Sequence, residues 1–224
     1  MLPFMKRQGE PGPYMMAFEQ SLAAFIQADP RDMARHSGGR YDAEASAIIL
    51  TSLGEELEVR FPDGRVTFRP TDLRLPWTWE LIVLNYLGRA DGTEPSGDMV
   101  SFRELEGGRT FHQAFARYTI SRLAGLAVQE NLGTVRKACL NLGGELLDIG
   151  DVGARVPFLP RFPVTVILWA EDEEFDASAN ILFDRTANHY LHTEDVSGAG
   201  GLVVRYLADV IEQDHGTNRD RNMA

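Results

Sequence analysis

Two histidines and two acids, His189, His192, Glu194 and Asp195, form the most ligand-like cluster in the chain. Imidazole and carboxylate together suit Zn, Fe, Ni or Mn. His189, His192 and Asp195 are therefore the candidate metal ligands, and a metal-dependent, hydrolase-like enzyme is one reading of the function. A spacing of three puts the histidines on one side only where the segment is helical. The same residues also fit a turn entering a helix, with Thr193 as cap. The acids would then face the helix N-terminus, a contribution of about 0.3–1 kcal/mol each.

A second constellation is Arg103, Glu104, Arg109 and His112, gathered around a helix start. Two guanidinium forks beside free backbone N–H groups suit a carboxylate or a phosphate. An Arg–Glu ion pair with a helix cap is the plainer alternative. The charges converge on one short loop, which favours this corner over the histidines as a ligand contact. Trp77, Trp79, Phe111 and Tyr118 would supply an apolar pocket with Arg103 or Arg109 at its rim. The expected ligand-binding set is Arg103, Glu104, Arg109, His112, Trp77 and Tyr118; ligand, reaction and cofactor stay unknown.

Three further features carry plainer readings. Glu171–Glu174 (EDEE) offers oxygen ligands but lacks the spaced donors of a calcium loop, so it reads as a hairpin tip. Gly198-Ala199-Gly200-Gly201 lacks the strand–turn–helix setting of a phosphate loop. Val196, Gly200, Val203, Leu207 and Val210 instead keep helical spacing through it, as close helix packing requires. Cys139 is the single cysteine, which excludes an intramolecular disulfide and a four-cysteine cluster within the chain. Its place on an apolar face reads as a buried small hydrophobe.

Composition narrows the partners. The chain has 224 residues and a formal charge of −11. Nucleic acid and anionic membrane both call for a basic footprint, so neither is an expected partner. A start without an apolar h-region and a lone cysteine fit a cytoplasmic protein.

The elements that must position these residues follow from periodicity. Residues 1–12 are Pro- and Gly-rich and read as a flexible terminus. Tyr14 to Ala28 has helical spacing at Met15, Phe18, Leu22, Phe25 and Ile26. Asp29-Pro30 is an N-cap with proline at the first helical position, and Gly38-Gly39 stops that helix. Ser46–Thr51, Glu55–Phe61 and Arg65–Arg69 form an antiparallel meander, with Pro62-Asp63-Gly64 as a turn. Pro76 opens an unusually apolar, hence central, helix. Ala90 to Asp98 is a polar loop, Met99–Phe102 a short strand. A long helix runs from about Thr110 to Gln129, another over Asn131–Leu142. Pro157 and Pro160 mark an irregular stretch. Pro163 to Leu207 reads as strand, acidic turn, strand, polar corner and helix, and the residues 213–224 as a disordered tail. One sheet with packed helices is expected: a single α+β domain over 13–212, mainly antiparallel.

Four stretches together resemble a known family: YLGRADG (Tyr86–Gly92), SFRELEGG (Ser101–Gly108), LWAEDEEFDASANILFD (Leu168–Asp184) and YLHTED (Tyr190–Asp195). They are similar to the bacterial and archaeal domains of unknown function numbered 3786, found largely in anaerobes. Some members carry an added cysteine-rich iron–sulfur segment, which the single cysteine here does not reproduce. His192 stands where the family pattern usually has proline. The resemblance implies a cofactor-, small-molecule- or partner-binding accessory module in anaerobic redox or corrinoid-linked metabolism. A small molecule or a corrinoid or redox protein would be the partner. A purely structural, oligomer-forming role is the third reading.

Overall fold

The computed structural model describes residues 12–222. Most of the terminus read as flexible, residues 1–11, lies outside the described residues. A short turn at Gly12–Tyr14 leads into α1 (Met15–Gln27), and α2 (Pro30–Ser37) follows. The cap of α2 is as expected: the Asp29 carboxylate accepts from the Arg31 and Asp32 N–H groups, and Gly38 closes the helix in the left-handed region at φ 74°.

A four-stranded antiparallel sheet comes next, in the order β1 (Arg40–Asp42), β2 (Ala47–Ser52), β3 (Glu55–Arg60) and β4 (Val66–Phe68). Leu57 and Val59 of β3 are buried, as strict alternation demands. Helix α3 (Trp77–Arg89) then crosses the molecule with Trp79, Ile82, Val83, Tyr86 and Leu87 buried.

The second sheet is also antiparallel and has the order β5 (Met99–Ser101), β9 (Ser178–Asp184), β8 (Phe162–Trp169), β7 (Val152–Leu159) and β6 (Glu145–Leu147). Between β5 and β6 lie α4 (Gly108–Phe115), a π-helical turn (Ala116–Ile120), α5 (Ser121–Gln129) and α6 (Leu132–Asn141). Helix α7 (Thr193–Asn222) closes the chain. It continues past Gln213, where the sequence reading ended it. It packs on α3, α6, β7 and β8. Gly198 and Gly200 belong to it, and a Cβ on Gly200 would stand 3.0 Å from the Phe115 ring. The small residues let α7 approach, as close packing required.

The fold class expected from sequence holds, but the single sheet does not. Two sheets form, joined where β2 meets β7. The Leu53 N–H donates to the Pro157 carbonyl at 3.0 Å, and the Ser52 hydroxyl donates to the Phe158 carbonyl. The stretch read as irregular is strand β7. Pro157 is tolerated because it lies beyond the residues of β7 that pair with β6, at a register shift against β8, so its missing N–H costs no ladder bond to β6. Its carbonyl serves the inter-sheet contact instead.

Trp79 holds the junction. Its ring lies 5.6 Å from Phe68 of the first sheet, 6.4 Å from Phe158 of the second and 5.2 Å from Tyr206 of α7. Its indole N–H donates to the Ser52 hydroxyl at 3.1 Å. Trp79 is thus core, not the pocket wall expected. No helix among the described residues is long and apolar enough to cross a membrane.

Candidate functional site

The expected ligand-binding residues divide among four places. Arg103, Glu104 and Arg109 stay together and line a hollow of about 510 Å³ with Gly107, Thr110 and Arg185. Glu104 is committed: its carboxylate accepts from the Ser101 N–H at 2.9 Å and the Ser101 hydroxyl at 2.7 Å, closing a capping box. Those bonds hold its carboxyl below the usual range. His112 is one turn further along α4, outside the hollow, with a buried Nδ1 that has no partner among the described residues.

Tyr118 and Phe111 line a separate hollow of about 330 Å³ with Phe115, Thr119, Glu194 and Ser197. Tyr118 is 69 % exposed. From Arg109 to Gly125 the buried positions are Phe115, Thr119 and Leu123. A spacing of four suits the widened π turn, and it leaves Tyr118 outside. Trp77 belongs to the seam of α1 and α3, edge-on to Phe18 at 5.3 Å.

The candidate metal ligands also take separate partners. His189 Nδ1 lies 2.7 Å from the Asp91 carboxylate and 3.2 Å from the Thr93 hydroxyl. The bond to His189 is the main reason the Asp91 carboxyl sits far below its ordinary value. His192 Nε2 lies 3.4 Å from an Arg89 nitrogen, and the Asn85 amide donates to Asp195 at 3.0 Å. Among the described residues no group of three or more His, Cys, Asp or Glu side chains is placed to hold a metal ion. Thr193 does mark the helix start as the alternative reading had it, although its hydroxyl donates to the Glu106 carbonyl. Cys139 is fully buried, and burial pushes its thiol up to about 12, so it stays a protonated hydrophobe at neutral pH.

The loop from Ala90 to Asp98 is fastened at every turn. Arg161, in the β7–β8 turn, donates to the Gly92 carbonyl at 2.6 Å, and Arg185 pairs with Asp98 at 2.6 Å. Asp184 accepts from the N–H and hydroxyl of Ser96, the N–H of Gly97, and the N–H and hydroxyl of Thr186. The motifs Tyr86–Gly92 and Tyr190–Asp195 thereby face one another across a polar seam.

One hollow near this seam was not expected from sequence. A cleft of about 920 Å³ lies between α1, α3 and the start of α7. Its apolar side is built by Ala17, Ala24, Leu81 and Ile82; its polar side carries Ser21, Asn85, His192, Glu194 and Asp195. The Ser21 hydroxyl donates to the Asn85 carbonyl oxygen at 2.5 Å, and the Asn85 amide donates to Asp195. Burial raises the Asp195 carboxyl above its ordinary pKa, and the Asn85 bond offsets only part of that. One signal for this chain was present: Asn85 interrupts the apolar run of α3. Sequence alone offers Asp195 as a metal ligand or as an acid facing a helix N-terminus, and singles out nothing at Ser21.

Comparison with known proteins places residues 29–206 under one family model, a domain of unknown function (DUF3786). No curated protein and no solved structure matches the chain.

Proposed function

The chain belongs to this family of domains of unknown function, and we propose that it is a binding module for a small organic molecule with an amine or similar donor group. The ligand lies in the cleft between α1, α3 and α7. One observation carries the reading: Asp195, a half-buried carboxyl at a cleft of about 920 Å³, has a neutral amide as its hydrogen-bond partner, while the nearby Arg89 and His192 act on it only at longer range. A clefted, desolvated acid with no cation bonded to it is a common mark of a binding site. The apolar wall would take the ligand's carbon skeleton. Glu194 at the same cleft adds a second negative charge.

A thermal-shift panel of alkyl amines, polyamines, amino alcohols and a corrinoid tests this. An amine is expected to raise Tm, and Asp195→Asn to remove the effect. Stabilisation by the corrinoid alone, or amine stabilisation unchanged in the variant, would sink the amine reading.

The unliganded variant carries its own prediction. A carboxyl whose folded pKa is raised contributes most stability below its unfolded value, about 3.9, and loses that contribution as pH rises through the folded pKa. At neutral pH the ionised Asp195 is therefore a burden. Asp195→Asn keeps an acceptor for Asn85 and is expected to raise Tm at pH 7, with the gain shrinking toward pH 4, measured by calorimetry across that range.

A further inference from the structure

We infer that the hollow lined by Arg103, Arg109 and Arg185 is an anion-binding site for a small molecule bearing a phosphoryl or carboxylate group. The chain has 33 acids against 22 lysines and arginines, so three arginines on one hollow concentrate positive charge against the overall balance. Elsewhere Arg69, Arg74, Arg155 and Arg161 are paired with carboxylates. Arg103 and Arg109 make no ion pair or hydrogen bond with any described residue, yet both line the same hollow. The one carboxylate on its wall, Glu104, accepts from Ser101 and keeps its charge, which Arg103 and Arg185 both feel, so three guanidinium groups face one carboxylate. Arg185 is held in place by Asp98 at 2.6 Å and brings a third guanidinium to the rim.

The backbone beneath these side chains is fixed. Gly107 has a φ of 69°, and a Cβ on Gly108 would lie 1.9 Å from the Phe102 carbonyl oxygen, so only glycine fits there. Thr193 of α7 bonds the Glu106 carbonyl and pins the same turn. A rigid corner fixes where the two arginine stems leave the backbone, and guanidinium forks can bind a planar or tetrahedral anion bidentately. A hollow of about 510 Å³ holds a whole small molecule, not only an ion.

The site differs from the acidic cleft in residues and in charge, so either can fail alone. Calorimetric titration of the full chain at constant ionic strength tests it, with inorganic phosphate, pyrophosphate and succinate as probes and chloride as background. Saturable binding of at least one probe is expected. The pair Arg103→Ala and Arg109→Ala together should weaken it about tenfold or more. The matching lysine pair should restore part of the loss, since charge returns without the fork. Phosphate and pyrophosphate binding without succinate assigns a phosphoryl ligand; the reverse assigns a carboxylate. Both arginines are exposed, so unliganded Tm should hold and separate lost binding from lost fold. No saturable binding of any probe up to about 10 mM, or binding unchanged in the alanine pair, overturns the inference.

Discussion

Glu80→Ala is expected to destabilise the protein by about 2–4 kcal/mol, less than for stranding a fully buried charge, because Arg74 is 35 % exposed and can hydrate. The Glu80 side chain is fully buried in α3. Its carboxylate accepts from Arg74 at 2.7 Å and from the Val66 N–H of β4 at 3.2 Å. Removing it strands the arginine and a strand N–H together and leaves a cavity. In a chain of this size the loss corresponds to a fall in Tm of roughly 4–16 °C. Glu80→Gln retains an acceptor for Val66 and should cost clearly less. Chemical denaturation of both variants checks the order, and equal losses would mean that packing, not charge, dominates the site.

Asp184→Ala should cost about 2–4 kcal/mol, because hydrogen bonds to a charged acceptor are the stronger kind. Five donors from three residues converge on this carboxylate. Several of those groups are near water once freed, which keeps the figure below the full sum. The carboxyl is nearly buried, and although burial alone would raise its pKa, the bonds from Thr186 and Ser96 outweigh it and hold the pKa below the ordinary value. A depressed folded pKa contributes stability above the unfolded value, about 3.9, and loses it as pH falls through the folded pKa. Wild type should therefore lose stability on acidification below about pH 4 more steeply than Asp184→Asn. Parallel acid limbs in the two proteins would remove Asp184 from that account. Because the Ala90–Asp98 loop is fastened here, the alanine variant should also show faster amide exchange at Ser96 and Gly97.

Both residues bear on the two proposed sites. Glu80 lies on the helix that carries Asn85 to the acidic cleft, and Asp184 adjoins the Arg185 that completes the arginine hollow. The segment from Arg185 to Gly198 contributes to four hollows of different charge. This is why its histidines look like chemistry in isolation and prove to be paired with Asp91 and Arg89 instead.

Local structure was open to reading from the sequence alone. The Asp29-Pro30 cap, the meander through Pro62-Asp63-Gly64, the apolar helix after Pro76 and the glycine-bearing helix α7 all depend on residues within a few positions of one another. Hydrophobic period and capping chemistry act at that range. The family, too, was visible in four short stretches.

The tertiary structure alone decided which polar groups meet. Asn85 and Asp195 are 110 positions apart, Arg185 and Asp98 are 87 apart, and His189 finds Asp91 across 98. No local spacing encodes such encounters, because they depend on how α3, β9 and α7 pack into one core. The strand at Pro157 was hidden for a related reason. Proline forbids a donor locally, and only the place of β7 at the inter-sheet junction makes that donor unnecessary.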